Sequence, residues 1–239
     1  MNNLSIQQFA TDRELAAAAA TAWLAEIASV KGPLPHLVAL SGGRITLKFF
    51  DAIVAATATR GSSLGSVEFF WADERCVPPT HSESSFGAAE KAFFRPLAIA
   101  PERIHHIRGE ESPEFAAQQA EAELCRLAPL NSDGQPVLDL VFLGMGEDGH
   151  VASLFPGEPA ALMADPSVYR VVRNSPKPPP VRVTLGYPAL AAARKIWILA
   201  SGAGKESALR DSLASNGRTP LARVLRHHPS CRVFTDIRL

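Results

Sequence analysis

The stretch from Leu138 to Pro156 reads LDLVFLGMGEDGHVASLFP and decides how the rest of the chain is interpreted. It begins with a short apolar run broken only by Asp139, which is typical of a central parallel strand covered by helices on both faces. Three glycines, two acids and a histidine then share residues 144–150. Ligands of open α/β sheets bind at the carboxyl ends of the strands. The stretch therefore predicts a ligand-binding turn, with His150 as a base that is neutral near pH 7.

Two other interpretations of this turn have to be weighed. Residues 144–149 satisfy G-x-G-x-x-G, the pattern of a dinucleotide-binding turn. Against it, Glu147 and Asp148 would place negative charge where a pyrophosphate lies, and Pro156 breaks the chain before a long helix can form. We therefore expect no nicotinamide cofactor. A turn in which His150 is only a structural hydrogen-bonding group stays open as the second alternative.

Composition limits the class of protein. A chain of 239 residues with 46% apolar and 20% charged residues predicts one soluble α/β domain over residues 1–239. The formal net charge is zero, which argues against a nucleic-acid or membrane partner. Three widely spaced cysteines form no disulfide framework or zinc motif, and the first residues do not resemble a signal peptide. We expect a cytoplasmic protein.

Strands alternate with helices along the whole chain, which predicts a largely parallel sheet with helices on both faces. The first helix is expected over about 11–30, ended by Gly32-Pro33, and a short strand is expected over 103–107.

A second turn, Ser41-Gly42-Gly43-Arg44, lies between an apolar strand at 36–40 and a helix. Backbone amides and the helix dipole at such a turn favour an anion. The same turn is also consistent with simple chain geometry.

Charged residues follow or occupy three further strands. Asp73, Glu74 and Arg75 follow the strand expected at 66–71. Arg182 begins the segment Arg-Val-Thr-Leu, and Lys205 starts a helix after the strand expected at 195–200. A lysine at a helix start is unfavourable unless an anion binds beside it. Surface salt bridges are the alternative for 73–75, and an exposed strand charge is the alternative for Arg182.

Taken together, these segments resemble the 6-phosphogluconolactonases, in the wider group that includes the glucosamine-6-phosphate isomerases and deaminases. The resemblance rests on GMGEDGHVASLFP, SGGR, WADERCVP, RVTL and GAGK, and runs from about residue 37 to 209. Two departures stand out. Ile45-Thr46 replaces the family's hydroxyl residue and proline, and Ser84-Ser85 replaces its Ser-Asn pair.

The resemblance implies the Rossmann-like fold of the deaminases and ribose-5-phosphate isomerases. It implies hydrolysis of 6-phospho-D-glucono-1,5-lactone in the oxidative pentose phosphate pathway, a reaction that needs no cofactor. We expect no metal, a small sugar-phosphate lactone as the partner, and a monomer. His150 and Asp73 would be catalytic, while substrate would be held by Ser41, Gly42, Gly43, Arg44, Arg75, Gly146, Asp148, Arg182 and Lys205. Glucosamine-6-phosphate deamination and a non-catalytic sugar-phosphate-binding protein stay open as alternatives.

Overall fold

A computed structural model describes residues 3–29, 35–60 and 64–239 of the chain. Its strands are β1 (Asn3–Gln8), β2 (His36–Leu40), β3 (Val67–Trp71), β4 (Asp73–Arg75), β5 (Leu140–Gly144), β6 (Tyr169–Val172), β7 (Arg182–Leu185), β8 (Ile196–Ala200) and β9 (Ser230–Thr235). Six of them form a parallel sheet in the order β1-β9-β8-β5-β2-β3. The other three form an antiparallel sheet in the order β4-β7-β6.

Eight α-helices are found in the described residues. They are α1 (Asp12–Ser29), α2 (Arg44–Arg60), α3 (Ser85–Ala89), α4 (Pro113–Leu127), α5 (Ala160–Met163), α6 (Tyr187–Ala192), α7 (Glu206–Leu213) and α8 (Pro220–His227). A π-helical turn, Glu90–Phe94, continues α3, and short 3-10 turns cover Pro101–Arg103 and Ala203–Lys205. None of the helices in the described part of the chain has the length and apolarity needed to cross a membrane.

The core explains why these elements form. The central strands β2 and β8 are buried at every position, as expected for strands covered on both faces. Helix α1 buries a stripe that recurs at helical spacing and includes Leu15, Trp23 and Ile27. The Trp23 ring meets Phe142 of β5 edge to face at 5.3 Å. This packing ties the first helix to the strand that leads into the histidine turn.

The sheet order determines where the ligand-binding turns lie. Strands β8, β5, β2 and β3 are consecutive neighbours and run parallel, so their carboxyl ends share one edge. The segments after them begin at Ser201, Met145, Ser41 and Ala72. Four segments that are far apart in sequence are thereby brought together.

The predicted α/β class with a largely parallel sheet is confirmed. The strand predicted over 103–107 is wrong: Pro101–Arg103 is a 3-10 turn, and only Ile104 makes an isolated bridge, to Phe69. Pro101 fixes its own φ and has no N–H for a strand ladder, which favours the turn. The sequence also did not predict β1, β4, α5, α6, α8 or the separate antiparallel sheet. The helix end expected at Gly32-Pro33 lies outside the described residues.

Candidate active site

A cavity of about 320 Å³ opens at the shared edge of the parallel strands. Its lining includes five cationic side chains but only two acidic ones, so it favours an anionic ligand. The lining residues are Asp12, Ser41, Gly42, Gly43, Arg44, Ile45, Lys48, Asp73, Arg75, Gly144, Met145, His150, Ala152, Arg182, Ser201, Gly202 and Lys205.

His150 is held by the turn that carries it. The Gly146 amide donates to the His150 carbonyl at 2.9 Å, and Gly149 closes the turn at φ +77°, a conformation that favours glycine. A Cβ on Gly146 would lie 2.0 Å from the His150 ring, so only glycine leaves room for the imidazole. The ring of Phe155 packs against the imidazole at 4.8 Å between centroids. Glycine is therefore required at 146 by the position of the imidazole and is favoured at 149 by the backbone conformation of the turn.

The Asp148 carboxylate orients the imidazole. Its Oδ1 lies 2.5 Å from His150 Nδ1 and also accepts the His150 backbone N–H at 3.2 Å. A carboxylate can only accept, so Nδ1 carries the proton and Nε2 keeps its lone pair. This tautomer is the one a general base requires.

Burial lowers the pKa of His150 below its ordinary value, and the hydrogen bond and charge of Asp148 only partly offset this effect. Burial alone would raise the pKa of Asp148, but the hydrogen bond and charge of His150 outweigh it and leave that pKa lowered. Both directions favour a neutral imidazole beside an ionised carboxylate at neutral pH. His150 is therefore able to accept a proton over most of the physiological range.

Asp73 and two arginines lie on the antiparallel sheet. Asp73 pairs with Thr184, and Arg75 pairs with Arg182, across β4 and β7. The buried Arg182 side chain donates to the carbonyls of Pro179 and Lys177 at 3.1 Å each. Burial, followed by the charge of Arg75, lowers the pKa of Arg182. The antiparallel sheet thus brings one carboxylate and two guanidinium groups to the cavity wall.

Glu74 lies between the cavity residues Asp73 and Arg75 in β4 and has a structural role. The residue is only 2% exposed, and its carboxylate accepts from the amides of Ser85 at 2.9 Å and Phe86 at 2.7 Å. It therefore stabilises the N-terminus of α3. Burial raises its pKa, although these backbone hydrogen bonds oppose the effect. The alternation of a strand explains why Asp73 and Arg75 share a side while Glu74 does not.

The Ser41–Arg44 turn begins α2. Ser41 Oγ donates to the Phe142 carbonyl at 2.8 Å, which ties this turn to β5. Gly43 has φ +116°, and Arg44, the first residue of α2, is exposed beside the helix N-terminus. Thr46 Oγ1 donates to the Gly42 carbonyl at 3.2 Å, and it is Ile45 that lines the cavity. The Thr46 hydroxyl is therefore engaged by the backbone of the turn that precedes its helix.

Lys205 approaches the same turn from the other side. Burial lowers its pKa, and the charge of Arg44 lowers it further, whereas Glu147 acts in the opposite direction. Two cations placed within electrostatic reach of one another are stabilised when an anion binds between them. The 3-10 turn that ends at Lys205 follows Gly202, whose φ is +105°.

Nine of the eleven site residues predicted from the sequence line the cavity, and two do not. Gly146 lies behind the His150 ring, and the Asp148 carboxylate contacts Nδ1. Asp12, Lys48, Ser201 and Gly202 also line the cavity but were not predicted as site residues.

A sequence signal exists for most of the omitted residues. Lys48 follows Arg44 by one helical turn, and Ser201-Gly202 directly follows β8. Asp12 offered no such signal, because it reaches the cavity only through the packing of α1 on α2 and its ion pair with Lys48. Ion pairing with Lys48 lowers the pKa of Asp12.

Over 3–29, 35–60 and 64–239, no three His, Cys, Asp or Glu side chains are grouped as a metal site would require.

The chain is similar to known proteins over most of its length. The profile of the family described as glucosamine-6-phosphate isomerases/6-phosphogluconolactonase matches residues 10–233. A 6-phosphogluconolactonase of Streptomyces coelicolor is 34% identical over 75% of this chain and 71% of its own length. The 6-phosphogluconolactonase of Homo sapiens is 34% identical over 92% of this chain and 85% of its own. Several longer relatives are matched over only 58% to 64% of their length.

The fold agrees with a solved structure. The 6-phosphogluconolactonase of Trypanosoma brucei superposes with a TM-score of 0.83 at 27% identity, covering 98% of this chain and 97% of that one.

Proposed function

The chain belongs to the family of glucosamine-6-phosphate isomerases and 6-phosphogluconolactonases, and on that premise we propose that it hydrolyses 6-phospho-D-glucono-1,5-lactone to 6-phospho-D-gluconate. This reaction belongs to the oxidative pentose phosphate pathway. The observation that carries the proposal is the contact of Asp148 with His150 Nδ1, which leaves Nε2 free to accept a proton, on the wall of a cavity lined by five cationic side chains. Hydrolysis of a phosphorylated cyclic ester requires a base to activate water and cationic groups to bind the phosphate, and this cavity combines both.

His150 Nε2 takes a proton from water as the water oxygen attacks the lactone carbonyl carbon. The carbonyl oxygen becomes an oxyanion, which the cationic cavity stabilises. The tetrahedral intermediate then collapses, the ring C–O bond breaks, and the departing ring oxygen takes the proton back from His150. Asp73 supports this step by positioning the water, and its charge favours the imidazolium that forms. General base catalysis of this kind contributes about 10²–10⁴ in rate.

The phosphate is assigned to the end of the cavity where α2 begins. Arg44 and Lys205 lie there with Gly42 and Gly43, so charge, helix dipole and backbone amides act on one anion. Arg75 and Arg182 lie on the antiparallel sheet and are assigned to the sugar hydroxyls and the oxyanion. We further propose that the protein acts as a cytoplasmic monomer that needs no cofactor, nucleic acid or membrane.

The test is a lactone-opening assay. Freshly prepared lactone is supplied, 6-phosphogluconate is detected with excess 6-phosphogluconate dehydrogenase and NADP, and the spontaneous rate is subtracted. Glucosamine 6-phosphate is incubated in parallel and ammonia is measured. We expect lactone opening above the spontaneous rate and no ammonia.

Each other outcome has its own meaning. Ammonia without lactone opening would identify a deaminase. Neither activity, with 6-phosphogluconate binding detected by calorimetry, would indicate a non-catalytic binding protein, the alternative kept by Ile45 and Ser85.

A further inference from the structure

Ser153 occupies a joint between the histidine turn and the antiparallel sheet. We propose that Ser153 is a positioning residue: its hydroxyl lies between Arg182 and Asp73, fixes the Asp73 carboxylate and thereby sets Asp73 relative to His150. The proposal rests on the proposed function, because it assigns to Ser153 an effect on that reaction.

The hydrogen bonds of Ser153 have only one consistent direction. Its Oγ lies 2.7 Å from Asp73 Oδ2 and 3.4 Å from Arg182 Nη1. A carboxylate only accepts and a guanidinium only donates, so the hydroxyl donates to Asp73 and accepts from Arg182. A serine hydroxyl has a single proton, and here it is committed to Asp73. The result is a chain of hydrogen bonds from Arg182 through Ser153 to Asp73.

The backbone of Ser153 is fastened to the same sheet. Its amide donates to Thr184 Oγ1 at 3.2 Å, and Thr184 is the β7 residue that pairs with Asp73 of β4. Ser153 is fully buried, with 0% of its surface exposed. Because both the amide and the hydroxyl are engaged on one cross-strand pair, the side chain has little freedom to adopt another rotamer.

A tight turn connects this anchor to the base. Leu154 N donates to the Val151 carbonyl at 2.9 Å, and Ala152 has φ +49°, in the left-handed region that residues other than glycine rarely occupy. Such strain persists only where the surrounding contacts over-determine it. Ala152 and His150 line the cavity, whereas Ser153 points into the sheet. Only two residues, Val151 and Ala152, therefore separate the base from Ser153, which anchors Asp73.

This arrangement has a consequence for the reaction. Asp73 is 6% exposed, and an almost buried carboxylate needs hydrogen bonds to be oriented. With Oδ2 engaged by Ser153, the other oxygen, Oδ1, is assigned to the attacking water. Without the Ser153 hydroxyl, the carboxylate could rotate towards Arg182, and the water would lose its alignment with His150 Nε2.

The proposal is tested with Ser153→Ala, Ser153→Cys and the matched control Thr57→Ala. Thr57 is half-buried in α2, far along the helix from the cavity, and its hydroxyl donates to the Ile53 carbonyl at 2.9 Å. We expect Ser153→Ala to lower kcat by about 10- to 100-fold, with KM changed less than about threefold. The thiol of Ser153→Cys is a weaker donor in nearly the same volume, so its kcat should be intermediate. Thr57→Ala should keep kcat and lose only some thermal stability.

A double-mutant cycle shows whether Ser153 acts through Asp73. In an Asp73→Ala background, Ser153→Ala should cost less than about twofold in kcat, because the group it positions is gone. The proposal would be overturned if Ser153→Ala lowered kcat by the same factor with and without Asp73. It would also be overturned if Ser153→Ala kept kcat and lost only thermal stability. If Ser153→Ala does not fold, Ser153→Cys decides, and wild-type kcat in that variant counts against the proposal. Failure of the wild-type protein to open the lactone would refute the proposed function, and this outcome is distinct from any result for the Ser153 variants.

Discussion

Asp148→Asn removes the carboxylate that orients His150, and its effects can be worked out from the structure. The Nδ1–Oδ1 contact of 2.5 Å is a charge-assisted hydrogen bond, a class that contributes roughly 1.5–3 kcal/mol. About 1.4 kcal/mol corresponds to a factor of ten in rate. Because the Asp148 side chain is 35% exposed, solvent screening places the expectation at the low end. We expect kcat to fall by about tenfold.

The same substitution has a diagnostic effect on the pH profile. The hydrogen bond and charge of Asp148 raise the pKa of His150 against the larger effect of burial. Removing the carboxylate should therefore lower the pKa of His150 further, so the acid limb of kcat moves to lower pH while the plateau drops. General damage to the site would lower the plateau without this shift.

The measurement is a series of kcat and kcat/KM values over about pH 5–8, from the coupled assay with the spontaneous rate subtracted at each pH. Asp165→Asn is the control, since Asp165 accepts from the Ser167 amide outside the cavity lining. The reasoning would be refuted by an Asp148→Asn enzyme with unchanged kcat, or by an acid limb that moves to higher pH.

Four further outcomes are expected. His150→Asn keeps hydrogen bonds but cannot accept a proton at neutral pH, so kcat should fall by at least ~10² with KM and Tm nearly unchanged. If the mutant keeps most of its kcat, Asp73 and not His150 is the base. Lys205→Ala should raise KM about tenfold or more for the phosphorylated lactone but not for gluconolactone, whereas equal effects on both substrates would remove the phosphate assignment. Calorimetry at millimolar NAD or NADP should give no binding isotherm, and a clear isotherm would revive the dinucleotide interpretation of residues 144–149. Gly42→Ala should destabilise the fold by about 1–3 kcal/mol, because its Cβ would lie 2.3 Å from Ser85 Oγ. Thermal melts should show that the double variant Gly42→Ala/Ser85→Gly recovers the lost stability. If it does not, this contact is not the cause of the destabilisation.

The elements predicted well are those whose evidence is local. An apolar strand followed by a glycine turn is contiguous in sequence, and burial on both faces requires it to be apolar throughout, so 36–44 and 138–150 could be interpreted directly. Short or exposed elements lack such evidence. Strand β4 has three residues, and β1 exposes Leu4 and Ile6 at the edge of the sheet.

The predicted site shows the same limit. A lysine or arginine at the carboxyl end of a strand can be found by inspection, whereas a contact between two distant side chains cannot. Ser153 lies 80 residues from Asp73, and Lys48 lies 36 residues from Asp12, so nothing in either neighbourhood indicates the partner. Asp148 lies only two residues from His150. Sequence assigns it to substrate, but its position behind the imidazole depends on the shape of the turn.

The sequence by itself determined the α/β class, the family and the turns that carry charge or glycine, because propensity, burial and backbone conformation act over a few neighbouring residues. Only the tertiary structure decided which turns meet. The strand order β8-β5-β2-β3 brings Lys205, His150, Arg44 and Asp73 to one edge, and the β4–β7 pairing places Arg75 beside Arg182. These neighbours are set by how the whole core packs, a property of all the elements together that no single stretch contains.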